Sequence, residues 1–459
     1  MTPEQIEILE ELDECPSDSC DATDILADAV EAGDTELVVA ILEHGIDPNV
    51  RGGSGETAIF HAQDVDVVKL LVEHGADPKA LDENGRNALF SCEDPEVAET
   101  LIACGIDPNQ ADKWGKTPVF ECHDSGVLEA LLEHGADPNA TDKDGANALF
   151  REHIYELMDN FDCIAVLLKY GADATVVNRY GQNALFGSDE PEVVSLLIQH
   201  GAGANVVDNE GQNPLFCCTN RDVLQILIEH GANANTVDRK GRNAVFIQSE
   251  VEALELLVQH GANPAIIDHA GQTALFGCEN VFIAQRLIEY GVDPMCIDHD
   301  GQNALFFCRT EEIARLLIEH GANPKCIANN GRNALFLSED TFYPYPDVVR
   351  LLLERGADAR CIDHNGQTSL FGCIMLPIAR MLIEHGTDAS VIDYQGRNAL
   401  FHCGSRRIAK LLIEHGADPG IIDHEGRTPL FGCKNADLAK FFIEHGVAPN
   451  VVDIHGGMR

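Results

Sequence analysis

Histidines recur at one kind of position in this sequence, directly before a glycine. A row of imidazoles could hold metal ions or relay protons, because imidazole is a common metal ligand and titrates near neutral pH. The simpler interpretation is that each histidine ends a helix, where the helix dipole favours a side chain that can carry positive charge. We favour this second interpretation. Ten histidines stand in Glu-His-Gly or Gln-His-Gly triplets: His44, His74, His134, His200, His230, His260, His320, His385, His415 and His445.

The 16 cysteines suggest zinc sites or disulfides until their spacing is considered. Cysteines a whole repeat apart are too distant for a disulfide, which needs Cα atoms within about 7 Å, and zinc needs four converging ligands. We therefore expect small apolar thiols, no metal or cofactor, and a reducing compartment, the cytoplasm. Eight cysteines follow a phenylalanine by two residues, and three stand near His299 or His364: Cys92, Cys122, Cys218, Cys278, Cys308, Cys373, Cys403 and Cys433, then Cys296, Cys326 and Cys361.

Aspartates form a third row. Paired carboxylates can perform general acid–base catalysis, but aspartates separated by a whole repeat are better interpreted as turn formers. The sequence also contains no phosphate-binding glycine loop, no His-Glu-x-x-His and no nucleophile elbow. It therefore predicts a protein that is not an enzyme. The row comprises Asp82, Asp112, Asp142, Asp208, Asp238, Asp268, Asp298, Asp363, Asp393, Asp423 and Asp453.

These rows arise because the chain repeats itself. A turn glycine precedes an Asn/Thr-Ala/Pro-Leu-Phe motif in 13 copies, mostly 30 residues apart, with one step of 36 and one of 35. A fixed period in this range indicates an array of stacked units. The glycines are Gly55, Gly85, Gly115, Gly145, Gly181, Gly211, Gly241, Gly271, Gly301, Gly331, Gly366, Gly396 and Gly426.

Each unit is predicted to contain two helices. Asn303 precedes a short apolar run, as a capping residue precedes the first turn of a helix. A second start follows within about ten residues and is visible as Asp94 before Pro95. The second helix carries apolar residues such as Leu317 at helical spacing and ends at Gly321, where positive φ suits glycine. The residues after Gly321 are turn formers, and we expect them to build a projecting hairpin.

This unit resembles the ankyrin repeat. The closest copy begins at Gly115-Lys116-Thr117-Pro118-Val119 and continues with Leu-Leu-Glu-His-Gly-Ala-Asp-Pro-Asn at residues 131–139. The resemblance implies an all-α solenoid of about 14 helix-turn-helix repeats with short hairpin loops. Two features depart from the family. The period is 30 rather than 33, which shortens the first helix, and phenylalanine replaces the family's histidine in all 13 copies.

The expected organisation follows the repeats in order. Terminal repeats must differ, since one face has no neighbour, and the acidic N-terminus suits such a cap. The predicted segments are an N-terminal helix and cap at 1–23, a full-length repeat at 24–54, the short repeats at 55–455 with insertions at 151–162 and 339–347, and a tail at 456–459. The first insertion is expected to lengthen the first helix or its turn, and the second, with two prolines and three aromatic residues, to be a protruding loop.

Composition limits the partners. The chain has 31 basic and 76 acidic side chains, a net charge of −45. This charge argues against direct binding to nucleic acid or anionic membranes and in favour of a basic protein partner. No apolar run is long enough to span a membrane, and no secretory signal is evident. We expect a monomer.

The residues that depart from the repeat are the candidates for partner contact, because aromatic and arginine side chains dominate protein interfaces. Basic and aromatic residues collect at the hairpin tips: Lys113, Trp114, Lys116, Arg179, Tyr180, Arg239, Lys240, Arg242 and Tyr394. The second insertion adds Phe342, Tyr343 and Tyr345. By analogy with the family, the chain is expected to be a scaffold that binds another protein through tips, inner helices and this loop. The alternative is an acidic decoy or immunity-type inhibitor that neutralises a basic protein such as a nuclease or toxin.

Overall fold

The structure is a computed structural model that describes residues 20–150, 160–336, 345–433 and 435–449. Within these ranges the regular elements are all helical, apart from isolated bridges between Ile297 and Asn303 and between Ile362 and Thr368. The all-α repeat architecture is therefore confirmed. The chain divides into two compact units, Met1–Thr236 and Val237–Arg459.

In the first unit, one nine- or ten-residue helix recurs in each repeat, and in most repeats a short helical turn precedes it. The α-helices are α1 Cys20–Glu31, α2 Thr35–Glu43, α3 Val65–Glu73, α4 Pro95–Ala103, α5 Pro118–Glu121, α6 Ser125–Glu133, α7 Asn160–Lys169, α8 Pro191–Gln199 and α9 Arg221–Glu229. The 3₁₀ segments are Ala58–His61, Ala88–Phe90, Ala184–Gly187 and Pro214–Phe216.

The second unit repeats the same pattern. Its α-helices are α10 Val251–Gln259, α11 Val281–Glu289, α12 Glu311–Glu319, α13 Pro346–Glu354, α14 Leu376–Glu384, α15 Arg406–Glu414 and α16 Ala436–Glu444. Its 3₁₀ segments are Ala244–Ile247, Ala304–Phe307, Ala399–His402 and Pro429–Gly432. Within each unit, the long helices of neighbouring repeats contact each other.

The long helix begins and ends where the sequence predicts. Asp94 caps α4 by accepting hydrogen bonds from the backbone N–H groups of Glu96 and Val97, at 2.8 and 3.0 Å, and Pro95 occupies the first helical position. At the other end of α12, Gly321 has φ 102° and Ala322 N donates to Leu317 O at 2.9 Å. This hydrogen bond closes a Schellman motif, which requires the positive φ that glycine adopts without strain.

The first helix of the short repeats is reduced to one turn of three or four residues, as the missing residues predict. Asn303 starts one such turn, and its Oδ1 accepts a hydrogen bond from Leu305 N at 3.2 Å. The cap is not made in the copies that have threonine at this place: Thr57, Thr117 and Thr428 show no side-chain capping bond. The predicted cap is therefore correct for most asparagine copies and wrong for these threonine copies.

The N-terminal repeat keeps the full-length first helix that the sequence predicts. Its helices α1 and α2 are joined through Gly33, with φ 65°, and Asp34 caps α2 by accepting from Leu37 N at 3.0 Å. Helix α1 begins at Cys20, however, so residues 20–23 belong to this repeat. The predicted start of the repeat at residue 24 therefore lies inside α1, four residues after the helix begins.

The predicted insertion boundaries are also too wide. Asn160–Asp162 already belong to α7, the second helix of its repeat, and Pro346–Asp347 form the start of α13, where proline is tolerated at the first helical position. The remaining predictions for the N-terminal cap at 1–19, for residues 151–159 and 337–344, and for the tail lie outside the described residues.

Candidate functional site

Most hairpin tips are organised around one aspartate, which is buried in several repeats. Asp298 is 6% exposed, and its Oδ1 accepts hydrogen bonds from the backbone N–H groups of Asp300 and Gln302 at 3.0 and 2.8 Å. The same pattern holds at Asp363 and Asp393. These carboxylates close the turn, as predicted: the backbone occupies Oδ1, while Oδ2 accepts from side chains such as Gln272 at Asp298.

Neighbouring tips are joined by one backbone hydrogen bond per repeat. His299 N donates to Ala270 O, in the tip one repeat earlier, at 2.8 Å. The tip glycine permits this approach, because Gly271 has φ 84° and a Cβ there would lie 3.0 Å from His299 N. In the first unit the donors are Glu83, Lys113, Lys143, Arg179 and Asn209, and in the second unit they include His269, His299, Asn329, His364, Tyr394 and His424. Sequence reasoning explained the glycine by its turn and missed this second requirement.

Several arginines that follow the tip glycine bind the buried aspartates. The Arg242 guanidinium donates to Asp238 Oδ2 from Nε at 3.0 Å and from Nη2 at 2.7 Å. Burial acts to raise the pKa of Asp238, but hydrogen bonds from the backbone and side chain of Arg242 outweigh it and hold the pKa below its usual value. Arg242, predicted as a partner contact, is therefore already engaged within its own hairpin.

The first unit displays its tryptophan at a tip. Trp114 is 45% exposed. The Lys113 ammonium lies 4.6 Å from the centre of the indole ring, and the Arg86 guanidinium lies 5.5 Å from it. Lys116 Nζ lies 3.3 Å from Glu121 Oε1. The structure thus brings Lys113, Trp114 and Arg86 together, and Lys116 is linked to this group through Glu121, which also lies 4.0 Å from Arg86.

A second exposed aromatic side chain occupies another tip of the first unit. Tyr180 is 45% exposed, and the Arg179 guanidinium lies 4.8 Å from its ring centre. Arg179 also pairs with Asp144, with Nη1 and Oδ1 2.7 Å apart, so the preceding tip holds the arginine in place. Cation–π contacts of this kind contribute about 0.5–1 kcal/mol when exposed, which favours a fixed arrangement of charge and ring.

The other predicted contact residues that the structure describes stand at separate places along the second unit. Arg239 and Lys240 are exposed at one tip, and Tyr394 is 74% exposed at another. Tyr345 directly precedes α13, makes no side-chain capping bond and is 38% exposed. Phe342 and Tyr343 lie outside the described residues.

The histidines that precede a glycine lie at the C-terminal ends of the long helices. His320 is the C-cap of α12, and its Nδ1 donates to Leu316 O at 2.9 Å. The same contact is made by His74, His134, His200, His230, His385 and His445. Among the described residues, no group of three or more His, Cys, Asp or Glu side chains is placed to hold a metal ion.

Most of the cysteines pack as small apolar residues, and the 14 from Cys92 to Cys433 are free thiols. Burial raises the pKa of Cys92 to about 11, so the thiol stays protonated, and its Sγ donates to Asp94 O at 3.3 Å. In the hairpins, Cys361 Sγ donates to Gly331 O at 3.1 Å, one repeat earlier. Protonated thiols are poor metal ligands and poor nucleophiles.

Sequence reasoning missed an apolar row on the hairpins. The residue before the tip aspartate is valine or isoleucine in successive repeats, and each is about half exposed, as at Ile297 and Ile362. The signal was present in the sequence as a β-branched residue at the same place in each repeat.

The helix pairs and joined hairpins define a helical repeat protein with exposed tips. The chain belongs to the ankyrin-repeat family: a model of the family described as ankyrin repeats (3 copies) matches residues 26–112, 88–178, 153–238, 184–268, 273–363 and 341–423. No curated protein matches the chain. Ankyrin repeats are in general scaffolds for interaction with other proteins. No helix among the described residues is long and apolar enough to cross a membrane.

Proposed function

We propose that this chain is a scaffold that binds another protein through its hairpin tips, with Trp114 and Tyr180 as anchors in the first unit. The observation that carries the proposal is the exposure of these two aromatic rings, each beside a basic side chain. Exposed tryptophan and tyrosine held in a fixed position lose little conformational entropy when a partner covers them, which is why they dominate interface energies.

The basic residues around these rings extend the proposed surface. Lys113, Lys116 and Arg179 surround the anchors in the first unit. In the second unit, Tyr394, Arg239 and Lys240 supply further contacts. Tyr345 and the neighbouring Phe342 and Tyr343 remain a proposed contact loop. We infer a monomer in a reducing compartment such as the cytoplasm, supported by the free thiols.

An acidic inhibitor of a basic protein is the second candidate function. One feature favours it: consecutive long helices in the second unit, from α11 to α16, end in an exposed glutamate. These residues are Glu289, Glu319, Glu354, Glu384, Glu414 and Glu444. With the net charge of −45, they would attract a basic protein over long range.

Affinity capture from the native host tests both candidates. The Trp114→Ala/Tyr180→Ala variant should lose the captured protein while its circular-dichroism melting curve stays unchanged. Phe282→Ala is the matched control, because Phe282 is an exposed aromatic residue on α11, away from the tips. Capture that survives the double substitution contradicts the tip proposal.

The salt dependence separates the two candidates. Raising the salt from about 50 to about 300 mM should weaken capture steeply if charge drives association, and only slightly if the aromatic anchors do. A steep loss of capture, together with no effect of the double substitution, would favour the acidic inhibitor.

A further inference from the structure

The second unit carries a row of exposed aliphatic side chains that the tip proposal does not use. We call these residues the aliphatic stripe. Each stands directly before the residue that closes a hairpin tip, in consecutive repeats. The stripe comprises Val237, Ile267, Ile297, Ile327, Ile362, Ile392 and Ile422, which are 45–58% exposed.

Backbone preference does not account for the stripe. β-Branched residues suit extended positions, and the first unit has the exposed Val177 and Val207 at the same position, but three of its other repeats hold Arg51, Ala111 and Thr141 there. The hairpins there close in the same way. For example, Asp142 follows Thr141, and its backbone N–H donates a hydrogen bond to Ala146 O at 2.9 Å. Since the hairpin forms without an aliphatic side chain, the repeated aliphatic residues indicate a surface that contacts something else.

Carboxylates accompany the stripe at a fixed distance along the chain. An exposed aspartate lies four residues before the aliphatic residue in four of these hairpins: Asp293, Asp358, Asp388 and Asp418. Each is oriented by the backbone N–H two residues later, as Met295 N donates to Asp293 Oδ1 at 2.8 Å. Hydrogen bonds from the hydroxyl and backbone of Ser390 lower the pKa of Asp388, which keeps it ionised.

The charged residues of these hairpins indicate which kind of partner could cover the stripe. In the four residues that precede each stripe residue, the seven hairpins carry two exposed cations, Lys325 and Arg360, against the four aspartates; Arg239 and Lys240 add exposed cations after Val237 at one tip. A second copy of the chain, with a net charge of −45, would be repelled. An occupant with basic residues between aliphatic ones would pair with the aspartates while it covers the stripe.

The distance between stripe residues of neighbouring repeats indicates the backbone conformation of the segment that would cover them. Helices of neighbouring repeats pack about 10 Å apart, so stripe residues recur at about that distance. A polyproline II chain has three residues per turn and rises about 3.1 Å per residue, so every third side chain recurs after about 9.3 Å. An extended segment of this type can place one aliphatic side chain on each repeat.

We propose that the aliphatic stripe binds an extended, cationic polypeptide segment that presents an aliphatic side chain at every third residue. This proposal deepens the proposed function, on which it rests, by naming the chemistry of one partner segment and the surface that receives it. It uses the second unit alone, whereas the tip anchors Trp114 and Tyr180 belong to the first.

A synthetic probe tests the proposal without knowledge of the natural partner. The probe is a fluorescent peptide of about six Leu-Pro-Lys triplets, titrated with the full-length chain and followed by anisotropy. The Ile297→Thr/Ile327→Thr/Ile362→Thr variant should bind it at least about tenfold more weakly, because threonine keeps the β-branch and loses apolar area. Ile374→Thr/Ile443→Thr is the matched control, since these exposed isoleucines lie outside the stripe, and it should bind like the wild type.

Two further peptides separate the apolar contribution to binding from the electrostatic one. Replacing leucine by serine in the probe, or lysine by glutamate, should each weaken binding at least about tenfold. Wild-type affinity in the triple variant, or equal binding of the serine peptide, overturns the proposal. Circular dichroism establishes that the variant is folded. If the peptide does not bind while the Trp114/Tyr180 variant still loses its captured protein, the stripe proposal fails and the scaffold function stands. If the peptide binds as expected while the Trp114/Tyr180 variant keeps its captured protein, the tip proposal fails and the stripe proposal stands.

Discussion

The Nε of Arg332 donates a hydrogen bond to the carboxylate of Asp363, 2.9 Å away and one repeat later in the chain. The Asp363 carboxylate is 1% exposed and also accepts two backbone N–H groups of its own turn. A single aspartate therefore closes its own turn and receives the guanidinium of the preceding repeat. The tips of the second unit are joined by side chains as well as by the backbone.

Arg332→Ala should lower the free energy of unfolding by about 1–2 kcal/mol, because a buried carboxylate loses its cationic partner. Urea unfolding of the full-length chain, followed by circular dichroism, measures the change. Arg315→Ala is the matched control: Arg315 pairs with Glu311 on the exposed surface of α12, and its loss should cost less than about 0.5 kcal/mol. Equal effects of the two substitutions would contradict the role given to Arg332.

Lowering the pH should remove the contribution of Asp393 to the free energy of unfolding. Burial acts to raise the pKa of Asp393, but hydrogen bonds from the side chains of Arg397 and Gln367 outweigh it and hold the pKa below its usual value. Because the folded-state pKa is depressed, this stability is present above the unfolded value of about 3.9 and is lost as pH falls through the folded value. The unfolding free energies of the wild type and Asp393→Asn should differ at neutral pH and converge below about pH 4. A difference that persists unchanged in strong acid would refute this.

Gly271→Ala should cost more stability than Gly277→Ala. Both glycines have positive φ, at 84° and 77°, so alanine is strained by about 1 kcal/mol at either place. Only Gly271 faces a neighbouring tip: a Cβ there would lie 3.0 Å from His299 N, whereas nothing lies within 4 Å of a Cβ at Gly277. We expect an additional loss of about 1–3 kcal/mol for Gly271→Ala. Hydrogen exchange provides the local measurement, since the His299 amide should exchange faster in this variant alone.

Exchanging Asn303 and Thr273, which stand at the same position in neighbouring repeats, tests whether asparagine stabilises the fold there. Asn303 Nδ2 donates to Asn323 O at 2.9 Å, which joins the short turn to the loop after α12. At the equivalent place in the preceding repeat, the Thr273 hydroxyl is buried and has no hydrogen-bond partner among the described residues. Asn303→Thr should destabilise the chain by about 1–2 kcal/mol and Thr273→Asn should stabilise it by about 1 kcal/mol. Thermal unfolding of both variants checks the two signs, and changes of the same sign would disprove the assignment.

Local signals made much of the fold predictable from the sequence. The cap at Asp94, the proline at Pro95 and the terminal glycine at Gly321 each act within a few residues, so their effects can be read directly. Pro346 misled the interpretation, because proline was taken as a loop signal although it also suits the first position of a helix.

Contacts between repeats could not be predicted in the same way. Arg332 and Asp363 are 31 residues apart, and nothing in either motif tells whether an arginine reaches its own aspartate, as Arg242 does, or the next one. The tip hydrogen bond of His299 depends on the stacking distance between repeats. The candidate contact residues were predicted from residue type and from their place at the hairpin tips, so paired side chains such as Arg242 were included with exposed ones such as Trp114.

Site-specific photo-crosslinking tests the binding of a protein at the tips most directly. A benzophenone amino acid replaces Lys113, which is exposed beside Trp114, and in a control it replaces Phe282 on α11. On irradiation in an extract of the native host, the Lys113 position should give one discrete protein adduct that disappears in the Tyr180→Ala background, and the Phe282 position should not give it. No adduct at Lys113, or the same adducts at both positions, would contradict the account.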